Sequence, residues 1–190
     1  LDLKKDTHKS LSDASSKIIS GVAKLFSKLS PDLVVLLGDR YEILASALTA
    51  TIFQLPILHI HGGEITKGSM DDSMRHAISK LSHIHFVSHI NYKKRLIQMG
   101  ENKKNIHVVG AMGIEGLKKL KLLSKKDLEK DLGFKFAKRN LMVTFHPETS
   151  GNSKIVDAIK NLFKALDNID DIKVIFTYPN SDIGSNEIKK

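Results

Sequence analysis

The chain has 190 residues, 41% of them hydrophobic, with no cysteine, no tryptophan and a formal charge of +9 at pH 7, enough to bury the core of one domain or parts of two. The missing cysteines exclude disulfides, thiolate metal sites and thiol nucleophiles, no window approaches the roughly 18 apolar residues of a membrane helix, and LDLKKDTHKS has neither the apolar stretch nor the cleavage site of a signal peptide, so a soluble cytoplasmic protein is expected. The lysines fall in short KK, KKR and KKLK pieces between apolar helix positions, which reads as solvated helix faces and not as a nucleic-acid stripe.

In chain order, Leu11, Ala14, Ile18, Val22, Leu25 and Leu29 recur at spacings of three and four and predict a first helix. An α/β domain that opens on a helix is expected to lack its first strand, so the chain reads as a fragment. Ser30 and Pro31 punctuate, LVVLL (33–37) is a short apolar run suited to a buried parallel strand, and residues 42–53 return to helical spacing. LPILHI (55–60) predicts the next strand, 71–81 a helix, 84–87 a strand, 91–99 a helix, and 106–109 a strand closed by Gly110. Residues 114–132 are lysine-rich and helical, with Gly133 as a stop. Beyond them LMVTF (141–145) and KVIFTY (173–178) predict two strands around a helix over 153–166. The alternation argues a doubly wound parallel sheet, with strands covered on both faces. Domains are expected at 1–115 and 136–190, joined by a helical connector at 116–135.

Open parallel sheets bind ligands beyond the carboxyl ends of their strands. Four such ends carry polar groups: Gly38-Asp39-Arg40, His59 to Glu64, Thr144 to Glu148, and Pro179 to Asp182. Asp39 is as well placed to cap the next helix as to act on a ligand. Arg40 suits the forked contact to a phosphate, and Glu42 complements the helix dipole. His59 and His61, two apart on a strand, are expected on one face, and a metal site there is conceivable, though the other histidines match no zinc spacing. Of Asp71 and Asp72, one can cap their helix while the other faces the strand ends, and an ion pair from Asp71 to Arg75 is the plain structural reading. His146 precedes a proline that holds it extended.

The run VVLLGDRYEILASALTATIFQLPILHIHGGEITKGSMDDSMRHAISKLSHIHFVSHINYKKRLIQMGE, followed by NIHVVGAMGIEGL, VTFHPET and FTYPNSDIGS, resembles the hydrolysing UDP-N-acetylglucosamine 2-epimerases of sialic and legionaminic acid biosynthesis over nearly the whole chain. The resemblance implies an α/β protein of two Rossmann-like domains facing a cleft, glycosyltransferase-B-like, here with the first domain lacking its start and the second incomplete. It implies anti elimination of UDP from a UDP-2-acetamido sugar, a glycal intermediate and hydration with inversion at C2, giving N-acetylmannosamine. No cofactor and no metal are implied, the partner is the UDP-sugar, and family members are often dimers. Proton removal and return at C2 need two or more titratable groups, for which Asp39, His61, Glu64 and Asp71 are the candidates. His146 and Arg40 would neutralise the departing UDP, and Arg75 and Asn180 would bind substrate. Some members carry a glutamate where this chain has His61, so the base is left open among Glu64, Asp71 and His61. The competing readings are a catalytically silent domain that holds a nucleotide or partner, and a metal-dependent hydrolase using His59 and His61.

Overall fold

The structure is a computed structural model that describes residues 7–146, 155–179 and 188. It divides into two compact units, Leu1–Lys118 and Lys119–Lys190.

In the first unit, helix α1 (His8–Leu29) starts on a capping box, with Thr7 Oγ1 accepting from the Ser10 amide at 3.1 Å. Strand β1 (Val34–Leu37), helix α2 (Tyr41–Ile52), β2 (Ile57–Ile60), α3 (Met70–Leu81), β3 (Ile84–Val87), α4 (Ile90–Gln98) and β4 (Ile106–Val108) follow. The four strands are parallel and lie in chain order, β1-β2-β3-β4. Their register aligns Val34 with Ile57, Leu36 with His59, His59 with His85, and His85 with Ile106. One sheet face therefore carries Val34, Leu36, Ile57, His59, His85, Val87 and Ile106, all buried. Ala47 and Ala50 of α2 and Ile78 of α3 close over β1 and β2, and Leu96 of α4 over Val87 and Ile106. The small residues of α2 let its backbone lie close to the strands, while Ile78, fully buried, is worth about 2–5 kcal/mol against alanine.

Coverage of both faces, expected from the apolar strands, is not what β1 shows. Val35 and Leu37 are 57% and 53% exposed, while Ala47, Ala50, Ile78 and Leu96 of the three helices after β1 pack on the layer of Val34, Leu36, Ile57, Val87 and Ile106. A second difference lies between 112 and 133. The helical pattern there is two helices, α5 (Met112–Lys119) and α6 (Lys125–Leu132), the latter stopped by Gly133 in the left-handed conformation as its sequence predicts.

The second unit holds α6, β5 (Arg139–Val143), α7 (Ile155–Asp167) and β6 (Ile172–Phe176), with β5 and β6 paired in parallel. Phe163 of α7 meets Phe176 edge-on at 5.3 Å between centroids. Among the described residues no helix is long and apolar enough to cross a membrane.

Candidate functional site

The carboxyl ends of β1, β2 and β3 lie side by side, because the ladder continues one residue past the strands: the Gly38 amide donates to the Ile60 carbonyl at 3.2 Å and the His61 amide to the Phe86 carbonyl at 2.9 Å. Asp39, His61 and Ser88 leave the sheet from these ends.

Asp39 does not cap α2. Arg40 is the N-cap and uses no side-chain hydrogen bond for it. The Asp39 carboxylate instead forms an ion pair with Arg75 of α3. Arg75 is 5% exposed, and its guanidinium also donates to Thr66 Oγ1 at 2.9 Å and lies 3.4 Å from Asp72 Oδ1. Asp72 in turn accepts from the Thr66 amide at 2.7 Å, so the loop entering α3 is tied to the same guanidinium. Arg75 thus pairs with Asp72 on its own helix and with Asp39 across the sheet. Arg40 donates through Nε to Glu42 Oε2 at 3.3 Å and stacks its guanidinium 5.9 Å from the Tyr41 ring.

The turn after β2 breaks the strand's alternation. His61 takes φ +67°, in the left-handed region, and Gly63 takes +75°. His59 and His61 therefore do not share a face. His59 is fully buried, with Nε2 2.8 Å from the Gly38 carbonyl and Nδ1 3.1 Å from Ser79 Oγ, so both ring nitrogens are engaged by protein groups. Among the described residues no cluster of three or more histidine, aspartate or glutamate side chains is placed to hold a metal ion.

His61 Nδ1 lies 2.8 Å from Glu64 Oε1, and Ser88 Oγ donates to the same oxygen at 2.7 Å. Burial pushes the Glu64 carboxyl up, but the hydrogen bonds from His61 and Ser88, with the positive charges of His61 and Arg75, outweigh it and hold Glu64 below its ordinary value. Glu64 thus feels the guanidinium that pairs with Asp39, which puts both carboxylates in one electrostatic neighbourhood. The Gly63 carbonyl accepts from Arg95 of α4, and the Tyr92 carbonyl lies against Gly63 so closely that a Cβ there would sit 2.7 Å from it.

Asp71 sits in the first turn of α3 beside the N-cap Ser69, whose Oγ is 3.1 Å from Asp71 Oδ2. His146 lies after β5 in the second unit, where Phe145, Phe163, Phe176, Tyr178 and Pro179 bound an apolar cavity of about 440 Å³ at the carboxyl ends of β5 and β6. Asn180 lies outside the described residues. Ser88, Thr66 and Arg95 also take part in the site, and the sequence pattern did not single them out. The strand-end rule that singled out Asp39 applies equally to Ser88, which follows β3 directly.

Comparison with known proteins puts names beside this geometry. The family model described as UDP-N-acetylglucosamine 2-epimerase matches residues 1–190. The chain is 43% identical over 180 residues, 95% of its length and 47% of the relative's, to the GDP/UDP-N,N'-diacetylbacillosamine 2-epimerase (hydrolyzing) of Campylobacter jejuni. It is 36% identical to the polysialic acid biosynthesis protein P7 of Escherichia coli, over the whole of this chain and 49% of that one. The crystal structure of UDP-GlcNAc 2-epimerase from Neisseria meningitidis, bound to UDP-GlcNAc, shares the fold with a TM-score of 0.73 at 21% identity, over 97% of this chain and 53% of that one. The chain spans about half the length of the curated relatives it matches.

Proposed function

The chain belongs to the UDP-N-acetylglucosamine 2-epimerase family, and on that premise we propose that it carries the proton-transfer part of an enzyme that hydrolyses a UDP-2-acetamido sugar with inversion at C2. The observation that carries this reading is the pair of carboxylates at neighbouring strand ends, Asp39 on a guanidinium and Glu64 on an imidazole and a hydroxyl.

The reaction removes the C2 proton as the C1–O bond to UDP breaks, leaving a glycal. Water then adds at C1, and C2 takes a proton on the opposite face, which releases N-acetylmannosamine or its 4-acetamido counterpart. Two proton-transfer groups on different faces of the ring are required. One is His61: Glu64 accepts from its Nδ1 and so directs Nε2 outward as the proton-carrying atom, the arrangement by which a carboxylate orients a histidine. The other is Asp39, oriented by Arg75. Asp71, at the positive end of α3, serves as a further acid or base toward the sugar. Arg75, buried on three protein acceptors, serves the substrate through Asp39. Arg40 neutralises charge on the departing diphosphate; the family resemblance assigns His146 to the same leaving group and Asn180 to the nucleotide sugar.

The relative at 43% identity is named for a diacetamido sugar, and the substrate class proposed here therefore includes UDP-N,N'-diacetylbacillosamine beside UDP-N-acetylglucosamine. The test is UDP release from each sugar by a chain of the relatives' length, wild type and Asp39→Asn. We expect Asp39→Asn to remain folded and to lose turnover by about 100-fold or more. Near-normal turnover in that variant would remove Asp39 from the chemistry, and UDP binding without turnover in the wild type would leave a nucleotide-holding domain.

A further inference from the structure

We propose that His59 is a positioning residue: its buried imidazole locks together the three segments that carry Asp39, the His61–Glu64 pair and Arg75, without touching substrate. This rests on the reading that Asp39 and Glu64 act on the sugar.

His59 stands in the covered layer of the sheet, in register with Leu36 and His85, where an aliphatic side chain would pack without the desolvation cost of a polar ring. What the ring does there follows from its partners. A carbonyl oxygen only accepts, so the 2.8 Å contact to Gly38 places a hydrogen on Nε2. Nδ1 is then the acceptor, and Ser79 Oγ donates to it at 3.1 Å. Gly38 has φ +93° and immediately precedes Asp39, so the bond fixes the bend from which Asp39 departs.

The second segment is fixed by contact. A Cβ at Gly62 would lie 2.8 Å from His59 Nδ1 and 2.9 Å from Ser79 Oγ. The backbone between His61 and Glu64 therefore rests directly on the imidazole–hydroxyl hydrogen bond. The third segment is α3 itself, which carries Ser79 together with Arg75. Burial pushes His59 down to about 4, against a weaker opposing effect of the Gly38 carbonyl, so a single hydrogen stays on Nε2 across the neutral range. Misplacing a reacting group by about 1 Å can cost about 100-fold in rate, and the ring is the element common to all three backbones.

The test has two arms. On this chain, nitrogen-detected NMR of the imidazole is expected to show the hydrogen on Nε2 alone, unchanged from about pH 8 to about pH 5; a hydrogen on Nδ1, or titration near the ordinary histidine value, overturns the proposal. In a chain of the relatives' length, His59→Phe is expected to stay folded and lose about 100-fold in kcat with little change in KM, while His59→Gln, which keeps an N–H for the Gly38 carbonyl, recovers most of the loss. If His59→Phe does not fold, Ser79→Ala replaces it, with a several-fold fall in kcat expected and an unchanged kcat overturning the role. Normal turnover in His59→Phe beside a dead Asp39→Asn would end this inference alone; normal turnover in Asp39→Asn would end the site reading, whatever His59 does.

Discussion

Arg75→Met tests whether the ion pair across the sheet organises the site. The substitution keeps the length and the apolar stem and deletes a guanidinium that serves Asp39, Asp72 and Thr66. Removing one partner of a buried pair costs about 3–5 kcal/mol. Here the side chains of Asp39 and Asp72 keep 25% and 28% of their surface, so water resumes part of their solvation and the expected loss is about 2–3 kcal/mol. For a unit spanning Leu1–Lys118, at roughly 4 °C per kcal/mol, that is a fall in Tm of about 8–12 °C. Arg75→Lys, a point charge able to serve one carboxylate at a time, should lose about half as much. Thermal and urea unfolding by circular dichroism give both values, and combining Arg75→Met with Asp39→Asn should recover about 1–2 kcal/mol of the summed losses, since the two share one interaction. A Tm for Arg75→Met within about 2 °C of wild type would refute the pairing.

Two further outcomes follow from the buried groups. His59 titrates at its ordinary 6.5 when unfolded and at about 4 when folded, so between these values the unfolded chain binds the extra proton; stability falls as pH drops through that window, by up to about 3 kcal/mol at its lower end. Urea midpoints that stay flat from about pH 7 to about pH 4 would contradict this. Gly63→Ala places a Cβ 2.7 Å from the Tyr92 carbonyl at a φ of +75°, and should cost about 2–4 kcal/mol, left-handed strain added to a clash with backbone; a change below about 0.5 kcal/mol in chemical unfolding would show that the turn relaxes freely.

Much of the scaffold was legible because periodicity is local. The spacing of three and four in α1, the short apolar runs of β1 to β3 and the Gly133 stop each report on their own neighbourhood. The strand-end rule likewise brought Asp39, His61 and Glu64 forward. Pairings between distant segments were not legible: Arg75 reaches Asp39 at a separation of 36 residues, while Asp71 offered a partner one turn away on the same helix. The face of His61 was misjudged because alternation assumes extended backbone, and a histidine at φ +67° runs against that assumption. The Gly-Gly pair beside it was the available warning, since glycines gather where the chain bends out of the usual basins.

The left-handed backbone at His61 also bears on how mutagenesis of that position should be designed. Alanine there is not a clean deletion of the imidazole, because a residue that disfavours this conformation unsettles the main chain from Ile60 to Glu64 while removing the ring. Asparagine and glycine tolerate the same dihedral angles, so they separate loss of a functional group from loss of shape. A valine or isoleucine scan would report mostly on the bend.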